Sequence, residues 1–260
     1  MFVTPPHLKH VLGLLDEERR SLFSAGVVGE RLPALTRVHG LAGDWHQIAF
    51  SALGERDADR VIAEQVAHYR GMGTGVEWAA YAHDGPPDLV RRLERHGFEV
   101  GEREAVVVLD TRTRPAWLDG HGPHRVEPVR TPQQLAAFTQ AAEQIFGTDQ
   151  TPVTRELEAR LAEGSTEHIA YLGYEGDAVA SVARLYTHPS SAFGGLYGGG
   201  TLEGHRGRGL YRATVQRRAH DAQRAGARYL RVDALPTSQP ILERLGFEVL
   251  TYVWPCLLVE

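Results

Sequence analysis

The chain has 260 residues, 42% hydrophobic and 23% charged, the balance of a globular protein with apolar material for a core in each of two halves. No run approaches the ~18 apolar residues of a membrane span, and a lone cysteine, Cys256, excludes an intramolecular disulfide. A formal net charge of −5 argues against nucleic-acid or anionic-membrane partners, which draw on a basic excess.

The N-terminus carries Pro5, Pro6 and early charges where a signal peptide needs an apolar stretch, so a cytoplasmic location is expected. In chain order, residues 58–73 read as a helix, 76–84 as a strand, 86–98 as a short helix and 99–110 as a strand. Residues 111–125 lack apolar periodicity and carry Pro and Gly, so a linker is placed at 113–123. It separates an N-terminal domain, 1–112, from a C-terminal domain, 124–260. The second domain reads as strand, helix (131–147), helix, three antiparallel strands (two of them at 178–188 and 192–202), and a long helix capped by Gly226. A strand (228–235), a helix (238–247) and a strand (248–259) follow.

The chain repeats itself. Residues 93–100 read LERHGFEV and residues 242–249 read LERLGFEV, identical at seven of eight positions. Both octamers sit in the same order of helix, strand, helix, Gly-Phe, strand, which favours duplication over coincidence.

The stretch GGLYGGGTLEGHRGRGLYRATVQRR, 194–218, carries the most chemistry. A strand enters a turn, Arg206-Gly207-Arg208-Gly209-Leu210-Tyr211, and a long helix follows. Glycines let the backbone approach a ligand. The first amides of a helix have no intrahelical acceptor and favour an anion. Arg206 and Arg208 add charge. A phosphate-bearing ligand is therefore expected there; the competing reading is a bare strand-to-helix turn. It is not a Walker loop, since no Gly-Lys-Ser/Thr follows, and Arg212 stands where a Rossmann fingerprint needs its third glycine. Eight arginines between 206 and 231 suit a small polyanion, or a solvated helix face.

That turn resembles the R-x-x-G-x-G/A loop of the GNAT superfamily of acyl-CoA N-acyltransferases, with Tyr211 in place of the last Gly or Ala. The strand RYLRVDAL and helix SQPILERLGFEV resemble the elements that follow it in that family. The resemblance covers residues 124–260. The first half resembles the family's C-terminal region but lacks the loop, with Asp57 and Asp59 where phosphates need positive charge. The whole resembles a tandem GNAT protein with a degenerate first domain, of the organisation seen in mycothiol synthase. The fold implied is α/β (α+β): two GNAT-like domains, each a mixed, mainly antiparallel sheet with helices on both faces.

The resemblance implies acetyl-CoA as co-substrate, with its pantetheine arm along Gly199, Gly200, Thr201 and Leu202 and its diphosphate on the amides from Gly207 to Tyr211, including Gly209 and Leu210. A small-molecule primary amine would attack the thioester directly in a ternary complex. The family's usual acid, a tyrosine four residues before the Gly of Gly-Phe, is Leu242 here, and the asparagine often found seven residues earlier is Leu235. Ser238 is the nearest polar group, facing sulfur or pantetheine, or capping its helix. Glu203 and Tyr197 are the candidates for proton transfer, with His188 and His205 behind them, and Glu203 reads equally as a solvated turn carboxylate. Tyr186 and Tyr252 read as core or pocket-wall aromatics, Trp45 and Trp78 as core or interface anchors, Cys256 as a buried small hydrophobe, and Asp84 as a turn cap beside His83. His121 and His124 lack further ligands nearby, so no metal is expected. A monomer or homodimer without nucleic-acid or membrane partners is expected. Two alternatives stand: a non-catalytic acyl-CoA-binding module, motivated by Leu242, and a transferase of longer acyl groups.

Overall fold

The computed structural model describes residues 3–23, 27–40, 45–120 and 122–259. The chain divides into two compact units, Met1–Val107 with Asp233–Glu260, and Val108–Val232. The first begins with α1 (Lys9–Ser21), β1 (Val27–Arg31), β2 (Leu35–Gly40) and β3 (His46–Ser51). It continues with α2 (Ala58–Met72), β4 (Val76–Tyr81), α3 (Leu89–Arg95) and β5 (Glu99–Val100). β6 (Glu104–Asp110) carries the chain into the second unit, which holds α4 (Ala116–Asp119), β7 (Arg125–Pro128), α5 (Pro132–Phe146) and α6 (Thr151–Ala162). β8 (His168–Glu175), β9 (Ala178–Tyr186), β10 (Phe193–Thr201), α7 (Leu210–Arg224) and β11 (Tyr229–Ala234) follow. The chain then returns to the first unit through α8 (Gln239–Arg244) and β12 (Glu248–Leu258).

Each unit is a mixed, mainly antiparallel sheet. In the first the order is β1-β2-β3-β4-β12, with β3 and β4 parallel and joined by α2. In the second it is β11-β10-β9-β8-β7, with β10 and β11 parallel and joined by α7. Neighbouring residues of the second sheet show its two covered faces. Leu172 and Val182 pack with Phe138 of α5, whereas Gly173 and Gly194 lie against Thr214 and Ala222 of α7.

The repeated octamers have one local structure. Gly97 at φ +93° and Gly246 at φ +90° end α3 and α8 in the left-handed region, where a side chain is strained. Phe98 N–H donates to Leu93 O and Gly97 N–H to Glu94 O; Phe247 and Gly246 donate in the same way to Leu242 and Glu243. This is the Schellman pattern, and both phenylalanines are buried behind it.

Three expectations differ from the structure. First, residues 233–260 lie with the N-terminal unit rather than with 124–232, because β12 pairs antiparallel with β4 from Val253–Tyr81 to Leu258–Val76. Second, most of segment 113–123 is not a loose linker. Trp117 and Leu118 of α4 are buried, and Gln216 Nε2 of α7 donates to Trp117 O at 2.6 Å. Third, the strand expected over 99–110 breaks after β5, where Gly101 N–H donates to Pro255 O at 2.8 Å.

The first unit encloses a charged network. The buried Arg19 guanidinium grips Asp84 at 3.1 and 2.8 Å, donates to Asp16 at 2.8 Å and stacks on the Tyr81 ring at 3.5 Å. Asp84 also accepts Tyr81 N–H at 3.1 Å, so it does cap the turn after β4. Trp78 is fully buried, edge-on to Phe98, while Trp45 is 43% exposed and is no core anchor. In the second unit Thr131 and Gln134 form a reciprocal capping box at the start of α5. Thr131→Ala is expected to cost about 1 kcal/mol in urea unfolding; an unchanged midpoint would show that the cap carries no stability.

Candidate functional site

The site is built around β10. This strand pairs with β11 only from Phe193 to Gly195, yet continues to Thr201, so its edge from Leu196 onward is free of that neighbour. On its other edge the register with β9 slips. Tyr197 lies opposite Arg184 and Gly200 opposite Val182, so Gly198 and Gly199 together face one residue of β9. This is a β-bulge, which bends a strand and re-aims its peptide groups. Gly198 takes φ +50° there, a conformation other residues adopt only under strain.

Of the strand positions expected along a pantetheine arm, several already have partners. Ser181 Oγ donates to Gly200 O at 2.6 Å, Arg206 Nε donates to Thr201 O at 3.1 Å, and Leu202 N–H donates to Ala180 O at 2.9 Å. Gly199 lies in the bulge, where a Cβ would come 3.1 Å from Arg218 Nη2 and 3.2 Å from the Tyr211 ring.

Past β10, Glu203–His205 form one turn of 3-10 helix, and residues 206–209 lead into α7. Gly207 at φ +76° and Gly209 at φ +90° supply the left-handed backbone on which this turn depends. The backbone N–H groups from Gly207 to Arg212 donate to no acceptor among the described residues, and Ala213 N–H is the first to be satisfied, by Gly209 O at 3.0 Å. No side chain caps α7. A Cβ at Gly207 would meet nothing within 4 Å, so the turn is open. Consecutive unpartnered amides at the positive end of a 15-residue helix suit an anion. At the start of α2, by contrast, the amides of Asp57 and Ala58 both close onto Gly54 O.

The cradle's basic side chains are partly committed. Arg208 donates to Glu175 Oε1 at 2.8 Å, and His205 Nδ1 bonds the other carboxylate oxygen of Glu175. The bond from Arg208, with that from His205, holds Glu175 below the usual carboxylate range. Arg206 keeps its terminal nitrogens available after bonding Thr201 O through Nε. Glu175→Gln removes a negative charge from this rim. It should tighten binding of a diphosphate ligand about threefold at low salt, with the gain fading at high salt; a salt-independent change would point to altered loop shape instead.

Beneath the bulge lies Arg218 of α7, which is 1% exposed. Among the described residues its guanidinium bonds only main-chain carbonyls: Thr214 O at 3.0 Å, Arg184 O at 3.1 Å and Tyr197 O at 3.3 Å. It thereby pins the last regular pair of β9 and β10 before the slip. Burial pushes its pKa down to about 10, so it is charged at neutral pH.

The other sequence-derived candidates are dispersed. Tyr197 is 38% exposed beside the bulge, its ring folded over Gly195. Glu203 is exposed, with no side-chain partner among the described residues. His188 Nδ1 accepts Ser190 N–H at 3.0 Å, a turn role. Ser238 belongs to the first unit, and its hydroxyl donates to Leu235 O at 3.2 Å rather than capping α8. Leu242 is fully buried. Cys256 is buried, and burial pushes its thiol up to about 12, as suits an inert hydrophobe. His124 Nε2 bonds Arg208 O at 2.6 Å, while His121 lies outside the described residues. Among the described residues no cluster of three metal-ligating side chains occurs, and no helix is long and apolar enough to cross a membrane.

Three residues near β10 escaped the sequence reading: Arg184 and the bonded pair His168 and Glu156, whose Nδ1 and Oε1 are 2.9 Å apart; Arg218, one of the eight arginines expected to meet a polyanion or line a solvated helix face, is instead buried. Alternation along β9 was the available signal, since it places Arg184 on the same face as Val182, where an apolar residue is the rule.

No family model matches the sequence, and no curated protein resembles it in sequence. Solved structures do resemble it. A GCN5-related N-acetyltransferase from Kribbella flavida superposes with a TM-score of 0.64 at 16% identity, over 95% of this chain and 91% of that one. One from Sphaerobacter thermophilus gives 0.60 at 14% identity, over 98% and 94%. A tandem GNAT protein from the clavulanic acid biosynthesis pathway gives 0.59 at 13% identity, over 94% and 87%. The chain therefore has the fold of tandem GCN5-related N-acetyltransferases.

Proposed function

We propose, for a chain with the fold of tandem GCN5-related N-acetyltransferases, that the second unit binds acetyl-CoA and transfers its acetyl group to a small-molecule primary amine. The observation that carries this reading is the run of unpartnered amides from Gly207 to Arg212 beside the free edge of β10. The amides and Arg206 fit the diphosphate, and the edge and Gly199 fit the amide-bearing arm. The bulge presents peptide groups to the thioester carbonyl, where a main-chain N–H stabilises the developing oxyanion. Holding amine and thioester in contact supplies up to about 10 kcal/mol of the barrier.

The ammonium must lose one proton before attack. Glu203, at the exit of β10, and Tyr197, beside the bulge, are the groups assigned to receive it, through water. The C–N bond forms as the C–S bond breaks, the acylated nitrogen gives its second proton to solvent, and the thiolate takes one from solvent. No acid is required, because a thiol's pKa is about 8–9. That chemistry accommodates leucine at position 242.

Calorimetry with acetyl-CoA, followed by thiol detection across a panel of amines, tests the reading. Binding with acceptor-dependent release of CoA supports it, whereas no binding heat rejects it. The buried Leu242, where the resemblance leads one to expect a tyrosine, favours a second reading, an acyl-CoA-binding module without turnover. Binding without release for every amine would establish that one.

A further inference from the structure

Three rows of side chains cross β8, β9 and β10 on the face that α5 and α6 cover. The first contains His168, Tyr186 and Gly195, the second Ala170, Arg184 and Tyr197, and the third Leu172, Val182 and Gly200. The third row is apolar and closes on α5. The second carries a cation beside the bulge. A Cβ built on Gly198 would lie 2.9 Å from Arg184 Nε and 3.2 Å from its Nη2, so the guanidinium rests on the bulged peptide itself.

Arg184 is half-buried, and among the described residues its guanidinium makes no hydrogen bond and no ion pair. The carboxylate that acts on it is Glu156 of α6, which is already bonded to His168. That bond, with further help from Arg184 and Arg160, outweighs burial and keeps Glu156 below the usual carboxylate range. Arg160 in turn holds Glu163 at 3.2 Å. Glu156 is thus shared among several positive groups, and it offsets the charge on Arg184 only in part. Withdrawing a guanidinium from water without a counterion is costly, and an anion supplied by a ligand removes that cost.

We propose that the acceptor carries a carboxylate close to its amine, an α-amino acid being the simplest such class, and that Arg184 binds that carboxylate next to the reacting carbon. The inference rests on the transferase reading. A planar guanidinium meets a carboxylate with two parallel bonds. Because this one lies on Gly198, the carboxylate it binds is only a few bonds from an amine poised at the bulge. The same charge disfavours a second ammonium at that place, which sets polyamines and other polycationic acceptors aside. It also favours the free-base form of the amine, the form that attacks.

The test measures CoA release from acetyl-CoA with the common α-amino acids, their α-carboxamides and the matching amines without a carboxyl group. Arg184→Gln and Arg184→Lys are assayed beside the parent, with acetyl-CoA affinity as the control for folding. At least one amino acid should exceed its carboxamide by about 30-fold or more in kcat/KM. Arg184→Gln should erase that preference mainly through KM, and Arg184→Lys should restore part of it. A carboxamide or diamine that serves equally well overturns the proposal, as does a preference that survives Arg184→Gln. So does turnover of none of the amino acids by protein that binds acetyl-CoA. Protein that gives no acetyl-CoA heat removes the transferase reading, and this proposal with it.

Discussion

Gly209→Glu is expected to weaken acetyl-CoA binding by about 100-fold or more, a loss of about 3 kcal/mol. Two effects combine. Gly209 sits at φ +90°, so any side chain strains the turn that aims the amides. A carboxylate at the positive end of α7 would also compete for the cradle and repel the diphosphate. Gly226 separates the two, because it has the same φ of +90° at the far end of the helix and open space around it. Gly226→Glu should lower the melting temperature without altering affinity. Equal losses of affinity in both variants would show that strain, not the anion site, was being measured. Arg206→Ala should cost less, since it removes one donor and leaves the amides in place.

Asp84→Ala should destabilise the first unit by about 3–5 kcal/mol, the cost typical of stranding a buried charge. Arg19 is 8% exposed, and its pair with Asp84 is bidentate. Without the carboxylate, Arg19 keeps only Asp16 and Ala49 O as hydrogen-bond acceptors. The double variant Arg19→Met, Asp84→Leu removes both charges and should recover most of the loss in urea unfolding. A double variant no more stable than Asp84→Ala would mean that packing against Tyr81, not the charge, sets the energy. Asp16 also makes stability depend on pH: burial raises its pKa, but His83 and Arg19 outweigh it, leaving it below the ordinary aspartate value in the folded protein. Its contribution is therefore complete above pH ~4 and fades as pH falls through the lower folded value.

Sequence showed local structure well. The octamers encode a helix end, a left-handed glycine and a buried phenylalanine within eight residues, and all three are present twice. The 206–211 turn was legible for the same reason, because its glycines and the helix that follows are contiguous. The bulge was not legible. Three successive glycines announce close packing, but the slip depends on how β9 aligns with β10. Arg184, His168 and Glu156 meet only through that alignment and the placement of α6, so no spacing along the chain relates them. Segment 113–123 looked loose because α4 buries just Trp117 and Leu118, too few apolar residues to form a period.

The return of β12 to β4 bears on how such a protein can be dissected. A gene trimmed to residues 124–260 would encode the 206–211 turn together with a final strand deprived of its hydrogen-bonding neighbour. Its complement, ending near 112, would lack a strand that its own sheet contains. Neither fragment is a self-sufficient folding module, so limited digestion should release a stable core only by cutting within exposed turns, not by halving the polypeptide. Because β12 completes the sheet of the unit in which the chain begins, removing either half leaves a sheet short of a strand.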